Sequence, residues 1–423
     1  MNNVNIEPSQ LKGTVCIPPS KSDVHRAIIC AALSKGKCVI SPVDLSEDIK
    51  ATIGCVETLG AKVNITDGVL TVDGSEMFKE NYYELFCNES GSLLRFIIPV
   101  VSAFGVSATF TGAGRLPERP IGIYLDCLPK AGVKCTTKSG LPLTVEGQLQ
   151  AGEFEIPGNV SSQFITGLLF ALPLLKEDSK IILTSPLESV AYVDITINVM
   201  RKFGVVIDTT HYGYFVKGNQ SYTPQNYTTE GDWSNAAFFM TAAAINGDVT
   251  VTGVDNNSAQ GDREIAEILK SFGAKVKFTD NSVRVQKANL KATTIDAKQI
   301  PDLVPILAVC ATFADGTTHI TGAERLRIKE SDRLSAIANA INELGGKVIE
   351  EPDGLVITGV KALKGGKVFG VNDHRIVMAM SVAGLMATDT VTITDMESIK
   401  KSFPSYFNEY NRLGGISYVN LRQ

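Results

Sequence analysis

Phe272-Gly273-Ala274-Lys275-Val276 decides the fold of this chain, because variants of the same phrase recur along its whole length. The other copies are Leu59-Gly60-Ala61-Lys62-Val63, Ala131-Gly132-Val133, Phe203-Gly204-Val205, Leu344-Gly345-Gly346-Lys347-Val348 and Leu413-Gly414-Gly415. Their glycines stand at 60, 132, 204, 273, 345 and 414, giving separations of 72, 72, 69, 72 and 69 residues. Before the glycine, apolar residues recur at helical spacing, as in Glu264-Ile265…Ile268-Leu269…Phe272; after it they alternate. A glycine able to turn left-handed closes a helix, and a strand then begins. A period of about 70 residues exceeds the roughly 20–50 of solenoid repeats and leaves room for several strands and two helices. Six such α/β modules in 423 residues predict two domains of three modules each. The polar, proline-containing stretch at residues 222–231 (Y-T-P-Q-N-Y-T-T-E-G) is the expected midpoint.

Composition narrows the class. An apolar fraction of 44% and a charged fraction of 20% are those of an ordinary globular enzyme. The formal net charge of −5 argues against a general nucleic-acid or anionic-membrane surface, while leaving room for local basic pockets. The eight cysteines, at 16, 30, 38, 55, 87, 127, 135 and 310, form no C-x-x-C pair, and Cys30 and Cys310 fall in apolar periodic runs. That usage suits a reducing compartment. Residues 1–10 show no basic segment leading into an apolar run, and the apolar stretches at 96–106 and 236–245 are too short to span a bilayer. A cytoplasmic location is expected.

Chemistry is concentrated in a few charged segments. Residues 323–334 read A-E-R-L-R-I-K-E-S-D-R-L, with Arg325, Arg327, Lys329 and Arg333 set among Glu324, Glu330 and Asp332. Alone it reads first as a solvated helix face. Similar groupings recur at Lys21-Ser22…Arg26, Arg115…Arg119, Asp373-His374-Arg375 and Lys401-Ser402. Cations placed repeatedly beside Ser, Gly or a carboxylate point to small, multiply charged anions. Three helix starts fit that reading: Pro18-Pro19-Ser20-Lys21-Ser22, Asn88-Glu89-Ser90-Gly91-Ser92 and Gly158-Asn159-Val160-Ser161-Ser162-Gln163. Each would expose backbone N–H groups at the positive end of a helix dipole, and each is also readable as a plain cap. Asp302, between Pro301 and Pro305, is either a helix cap or a carboxylate that accepts a hydroxyl proton. The four histidines have no metal-ligand spacing, His374 reads as structural, and Trp233 reads as a packing residue. No G-x-G-x-x-G with a distal acidic residue is present, which disfavours a nicotinamide enzyme.

Taken together these segments resemble the 5-enolpyruvylshikimate-3-phosphate synthases, from Pro18 to Pro404. The resemblance lies in P-P-S-K-S-D-V-H-R-A, L-P-E-R-P-I-G, S-S-Q-F, E-G-D-W-S-N-A-A, I-P-D, G-A-E-R-L-R-I-K-E-S-D-R-L, N-D-H-R-I and K-S-F-P. It implies a fold of two domains, each of three βαβαββ modules in an inside-out α/β barrel arrangement. Residues 20–230 would form one domain, residues 1–19 and 231–423 the other, with the site in the cleft between them. It implies transfer of the enolpyruvyl group of phosphoenolpyruvate to the 5-hydroxyl of shikimate 3-phosphate, on the route to chorismate and the aromatic amino acids. Lys21, Ser22, Arg26, Ser161, Ser162, Gln163, Ser189, Asp302 and Lys329 would hold shikimate 3-phosphate, with Tyr192 near its ring. Lys21, Gly91, Arg119, Gln163, Arg333, Arg375 and Lys401 would surround phosphoenolpyruvate. Asp302 would accept the hydroxyl proton and Glu330 would supply one to the methylene carbon, with Lys21 touching both substrates.

No metal or organic cofactor is implied, and the partners expected are the two small-molecule substrates alone, with no nucleic acid or membrane; the chain is expected to be a monomer. Two positions depart from the family pattern. Glu89 precedes the small residues of the expected phosphate loop, so its side chain is expected to turn away and leave only backbone there. Phe96 replaces a proline common in some members. The rival family with the same chemistry, the UDP-N-acetylglucosamine enolpyruvyl transferases, carries a reactive Cys in the loop corresponding to residues 112–122; here that loop has none.

Overall fold

The computed structural model describes residues 2–280 and 282–420. All six repeat glycines have positive φ: 109° at Gly60, 87° at Gly132, 84° at Gly204, 94° at Gly273, 83° at Gly345 and 96° at Gly414. Each ends a helical segment and precedes a strand, as Ile265–Ser271 precedes Lys275–Thr279 and Arg333–Glu343 precedes Val348–Glu351. A residue with a Cβ pays a steric cost in this conformation, so the recurrence of glycine is a recurrence of helix ends.

The repeat is a βαβαββ module. One copy runs through strand Tyr82–Phe86, helix Gly91–Ala103, strand Ser107–Thr111, helix Gly122–Cys127 and strands Lys134–Thr136 and Leu143–Glu146. Its first two strands pair in parallel (Leu85 opposite Phe110), and Leu143–Glu146 inserts antiparallel between Ser107–Thr111 and Lys134–Thr136. Alternate residues Tyr83, Leu85, Ala108, Phe110, Leu143 and Val145 are buried, the period-two pattern of a sheet with one covered face. Sheets of four strands in this order recur through the chain.

The chain divides into two compact units. One comprises residues 1–18 and 230–423, the other residues 19–229. Three sheets are completed by strands remote in sequence. In the 19–229 unit, Asn226–Thr228 pairs in parallel with Lys37–Ser41. In the other unit, Leu11–Cys16 pairs in parallel with Gly247–Thr252, and Asn3–Glu7 lies between Val391–Ile393 and Ile416–Asn420.

The first helix of each module is the buried one. Val304–Thr312 and His374–Gly384 are buried at every residue, and Trp233–Asn246 at nearly every one. These three pack on one another within their unit. A helix apolar on all sides belongs inside a core, and the sheets lie around it. Charged residues on such helices keep to their N-terminal halves, and it is there that the helices Lys21–Leu33, Gly91–Ala103, Ser162–Ala171 and His374–Gly384 carry the candidate residues. Trp233 is fully buried, with its indole N–H donating to the Asp255 carbonyl at 3.0 Å. No helix among the described residues is long and apolar enough to cross a membrane.

Candidate active site

In the unit formed by residues 1–18 and 230–423, the site is built around Arg333, whose side chain is 2% exposed. It is the first residue of helix Arg333–Glu343, which Asp332 caps by accepting from the Ser335 N–H at 3.2 Å. Its guanidinium meets three carboxylates: Nη1 to Asp302 Oδ1 at 2.9 Å, Nη2 to Glu330 Oε2 at 2.7 Å and Nε to Asp373 Oδ2 at 2.8 Å. Asp302 is shared, since Arg375 Nη2 lies 3.0 Å from its Oδ2 and Lys329 Nζ 3.9 Å from its Oδ1. Arg375 also donates to the Asp302 carbonyl at 3.2 Å. Asp302 sits in the turn Pro301–Leu303, immediately before helix Val304–Thr312. Leu303, not Asp302, stands at the N-cap position of that helix, and the Asp302 carboxylate is paired with cations.

Asp373 serves two purposes. It caps helix His374–Gly384 by accepting from the Arg375 N–H at 3.0 Å, and it anchors Arg333 and the Ser331 hydroxyl, the latter at 2.9 Å. Lys401 Nζ donates to the Asn372 carbonyl at 2.7 Å, beside this cap. The electrostatics follow from burial against neighbouring charge. Burial alone would raise the Asp302 pKa, but Arg375, Lys329 and Arg333 outweigh it and hold the carboxyl far below the usual range. Burial lowers the Lys329 ammonium to about 8 despite its carboxylate neighbours. For Arg333 burial is outweighed by Asp373, Glu330 and Asp302, which keep it charged.

In the 19–229 unit, Lys21 opens helix Lys21–Leu33, with Nζ 2.9 Å from Asp48 Oδ2. Arg26, one turn on, is 2% exposed; it donates to Thr196 Oγ1 at 2.7 Å, the Ser22 carbonyl at 2.6 Å and the Tyr192 carbonyl at 2.9 Å. The Arg26 guanidinium stacks on the Phe96 ring, 5.1 Å from its centroid, so the residue that departs from the family pattern helps to orient this cation. Burial lowers the Arg26 pKa to about 10. Behind these cations, His25 bonds Thr52 through Nδ1 at 2.6 Å; burial, then Lys21 and Arg26, push its pKa well down, so it is neutral.

Ser90 caps helix Gly91–Ala103, accepting from the Leu93 N–H at 3.3 Å, and the Arg119 guanidinium lies directly over Gly91. A Cβ built on Gly91 would stand 2.5 Å from Arg119 Cζ. Glu89 turns its carboxylate towards Gly114. Ser161 caps helix Ser162–Ala171 through the Gln163 N–H at 3.3 Å, while the Gln163 amide joins Arg95 Nη1 at 2.5 Å to Ser92 Oγ at 2.9 Å. Ser189 has φ 57° and accepts from the Tyr192 N–H at 3.1 Å, which sets it close to Arg26. The Tyr192 backbone carbonyl accepts from Arg26, and the Tyr192 phenol also acts on that cation.

The structure thus brings Asp302, Lys329, Glu330, Arg333 and Arg375 into one cluster in the first unit. In the second it joins Gly91 to Arg119, and sets Lys21, Ser22 and Arg26 along one helix end, with helix Val190–Lys202, which Ser189 precedes, bonded to Arg26 through Tyr192. Sequence reasoning missed Asp48, Asp373 as an anchor, Arg95 and Thr196, and gave Phe96 no contact with Arg26. Only Asp373 had a local signal, its position immediately before an apolar helix.

A family model described as EPSP synthase (3-phosphoshikimate 1-carboxyvinyltransferase) matches residues 6–410. The chain belongs to the EPSP synthase family. It is 46% identical over 420 residues to the 3-phosphoshikimate 1-carboxyvinyltransferase of Clostridium perfringens, covering 98% of this chain and 99% of that one. Its identity to the protein of that name from Clostridium kluyveri is 45% over 417 residues, 98% of each chain. Among solved structures it matches an EPSP synthase from Acinetobacter baumannii with a TM-score of 0.84 and 26% identity over 100% of both chains. Membership of the EPSP synthase family accounts for the two domains of three modules, and it sets aside the UDP-N-acetylglucosamine enolpyruvyl transferase reading.

Proposed function

We propose that the protein transfers the enolpyruvyl group of phosphoenolpyruvate to the 5-hydroxyl of shikimate 3-phosphate. The observation that carries this reading is the Arg333 guanidinium holding Asp302 and Glu330 at 2.9 and 2.7 Å, so that two proton-transfer groups share one cationic anchor. Asp302 takes the hydroxyl proton as the oxygen adds to the substituted carbon of the enol phosphate. Glu330, carrying a proton at that stage, delivers it to the methylene carbon. The tetrahedral adduct then returns a proton from the new methyl group to Glu330 and expels inorganic phosphate, which carries away the proton taken by Asp302 as the double bond is restored. Lys21, Ser22, Arg26, Ser161, Ser162, Gln163, Ser189 and Lys329 hold shikimate 3-phosphate; Gly91, Arg119, Arg333, Arg375 and Lys401 hold phosphoenolpyruvate, with Lys21 and Gln163 serving it too. Prearranged cations of this kind stabilise charge that shifts during addition.

The resting charge balance supports this division. Asp302 is a poor base while two guanidiniums and an ammonium neutralise it. An anionic substrate that draws Arg375 and Lys329 to its own oxygens withdraws that stabilisation and raises the proton affinity of Asp302. Basicity then appears only when the site is loaded. The test is phosphate release from phosphoenolpyruvate with shikimate 3-phosphate as acceptor, run beside UDP-N-acetylglucosamine. Release with the first and none with the second supports the proposal; the reverse sinks it.

Gly91→Ala tests the phosphate side. Its Cβ would stand 2.5 Å from Arg119 Nη1, so the guanidinium must move. A charged hydrogen bond weakened by about 1.4 kcal/mol corresponds to roughly a tenfold rise in KM for phosphoenolpyruvate. KM for shikimate 3-phosphate should change little. A variant whose phosphoenolpyruvate KM stays at the wild-type value would remove Arg119 from that substrate.

A further inference from the structure

One buried carboxyl beside this site has no part in the scheme above. Asp262 lies in the short turn Gly261–Glu264 and is 3% exposed. Its Oδ2 accepts a hydrogen bond from the Ser234 hydroxyl, while Oδ1 has no hydrogen-bond partner among the described residues. A buried carboxyl with an oxygen left idle is costly, and here neither a helix cap nor an ion pair accounts for it.

Its surroundings are specific. Ser234 is in the first turn of helix Trp233–Asn246, which packs against the Asp262 turn, the Pro301–Leu303 turn that carries Asp302, and helix His374–Gly384 that carries Arg375. Gln260 ties the first two together, accepting from the Trp233 N–H at 3.0 Å and donating to the Gly231 carbonyl at 2.8 Å. The charged groups that act on Asp262 from these elements are Asp302, Arg375 and Asp232. Arg263 and Glu264 on its own turn are exposed, and Arg263 is engaged with the Asn256 carbonyl at 2.7 Å.

Resting on the function proposed above, we propose that Asp262 is a positioning residue whose negative charge, present or absent, sets how strongly Arg375 holds an anionic substrate. Arg375 already gives Nη2 to Asp302. Ionising Asp262 adds one more carboxylate charge that competes with an incoming enol phosphate for Arg375, in surroundings that screen poorly. Burial, then repulsion from Asp302, push the Asp262 carboxyl up to about 7 against the opposing pull of Arg375 and the Ser234 hydroxyl. Its charge therefore changes close to neutral pH.

Asp262→Asn removes the charge while keeping size and an acceptor oxygen for Ser234. In the phosphate-release assay, from well below to well above pH 7, wild-type KM for phosphoenolpyruvate should rise about tenfold as Asp262 ionises. The variant should hold the low-pH value through that range, with kcat within about twofold of wild type. Lys329, which loses its proton near 8, is common to both proteins, so any further weakening at higher pH should be shared.

Tm against pH, without substrate, gives a readout independent of turnover. A carboxyl raised from its ordinary 3.8 to about 7 in the folded state destabilises wild type progressively as pH climbs through that window, and by a constant amount above it. The Tm of the variant minus that of wild type should therefore climb between those values and then level off. A flat Tm difference overturns the titration. A climbing difference with an unchanged KM profile makes Asp262 a structural carboxyl only, and also overturns the proposal. Both results leave the transferase reading standing, whereas wild type that releases no phosphate ends both.

Discussion

Asp302→Asn is expected to lower turnover by roughly 10²–10⁴-fold, the usual worth of a positioned proton acceptor, while weakening shikimate 3-phosphate binding far less. An amide keeps one acceptor oxygen, enough to hold a substrate hydroxyl, but cannot take its proton. The structure adds a complication with a definite sign. Asp302 Oδ1 faces Arg333 and Oδ2 faces Arg375, so one of these donors must meet the NH₂ of the new side chain. A measurable loss of Tm should accompany the loss of rate, because a buried guanidinium is left facing a donor. Rate and binding are therefore to be measured at a temperature where the variant is fully folded. Equal losses in kcat and in shikimate 3-phosphate affinity would reduce Asp302 to a structural counter-ion for the two arginines.

Lys21→Met and Lys21→Arg are both expected to fold and both to lose most phosphate-release activity. Lys21 stands at the start of a helix, where the dipole favours anions, and its ammonium is a compact charge able to serve two ligands. The arginine variant retains the charge and a partner for Asp48, so its loss of activity cannot be assigned to a broken ion pair; what changes is the shape and reach of the cation. The methionine variant removes that partner and should be the less stable of the two. Lys37→Met is the control. Lys37 is exposed at the head of strand Lys37–Ser41. Substantial turnover by a folded Lys21→Met would remove Lys21 from the centre of the site.

The modules were legible because a left-handed helix end selects glycine strongly, and that selection acts locally: Gly60, Gly132, Gly204, Gly273, Gly345 and Gly414 needed no knowledge of the rest of the chain. The cations of the site were legible for a related reason, since Lys21, Arg333 and Arg375 all sit in helix first turns that sequence marks. Their partners were not. Asp48 is 27 positions from Lys21 and Asp373 is 40 from Arg333, and nothing local in one sequence distinguishes an acidic residue that will be buried against a guanidinium from one that will be solvated. Asp262 was invisible for the same reason. The sheet-closing strands were equally hidden: Val4-Asn5-Ile6 reads as a strand, but its neighbours lie at the far end of the chain.

That arrangement has a consequence for how the protein is made. Asn3–Glu7 leaves the ribosome long before either strand beside it, Val391–Ile393 or Ile416–Asn420, has been synthesised. Residues 19–229 hold every strand of their own three sheets and can condense while translation proceeds. The leading segment must wait unpaired throughout elongation, with Val4 and Ile6, both fully buried at the end, exposed to solvent or to a chaperone meanwhile. Closing that sheet joins residues separated by several hundred positions, the slowest kind of contact to form, so completion of this half is expected to come late and to set the pace of maturation.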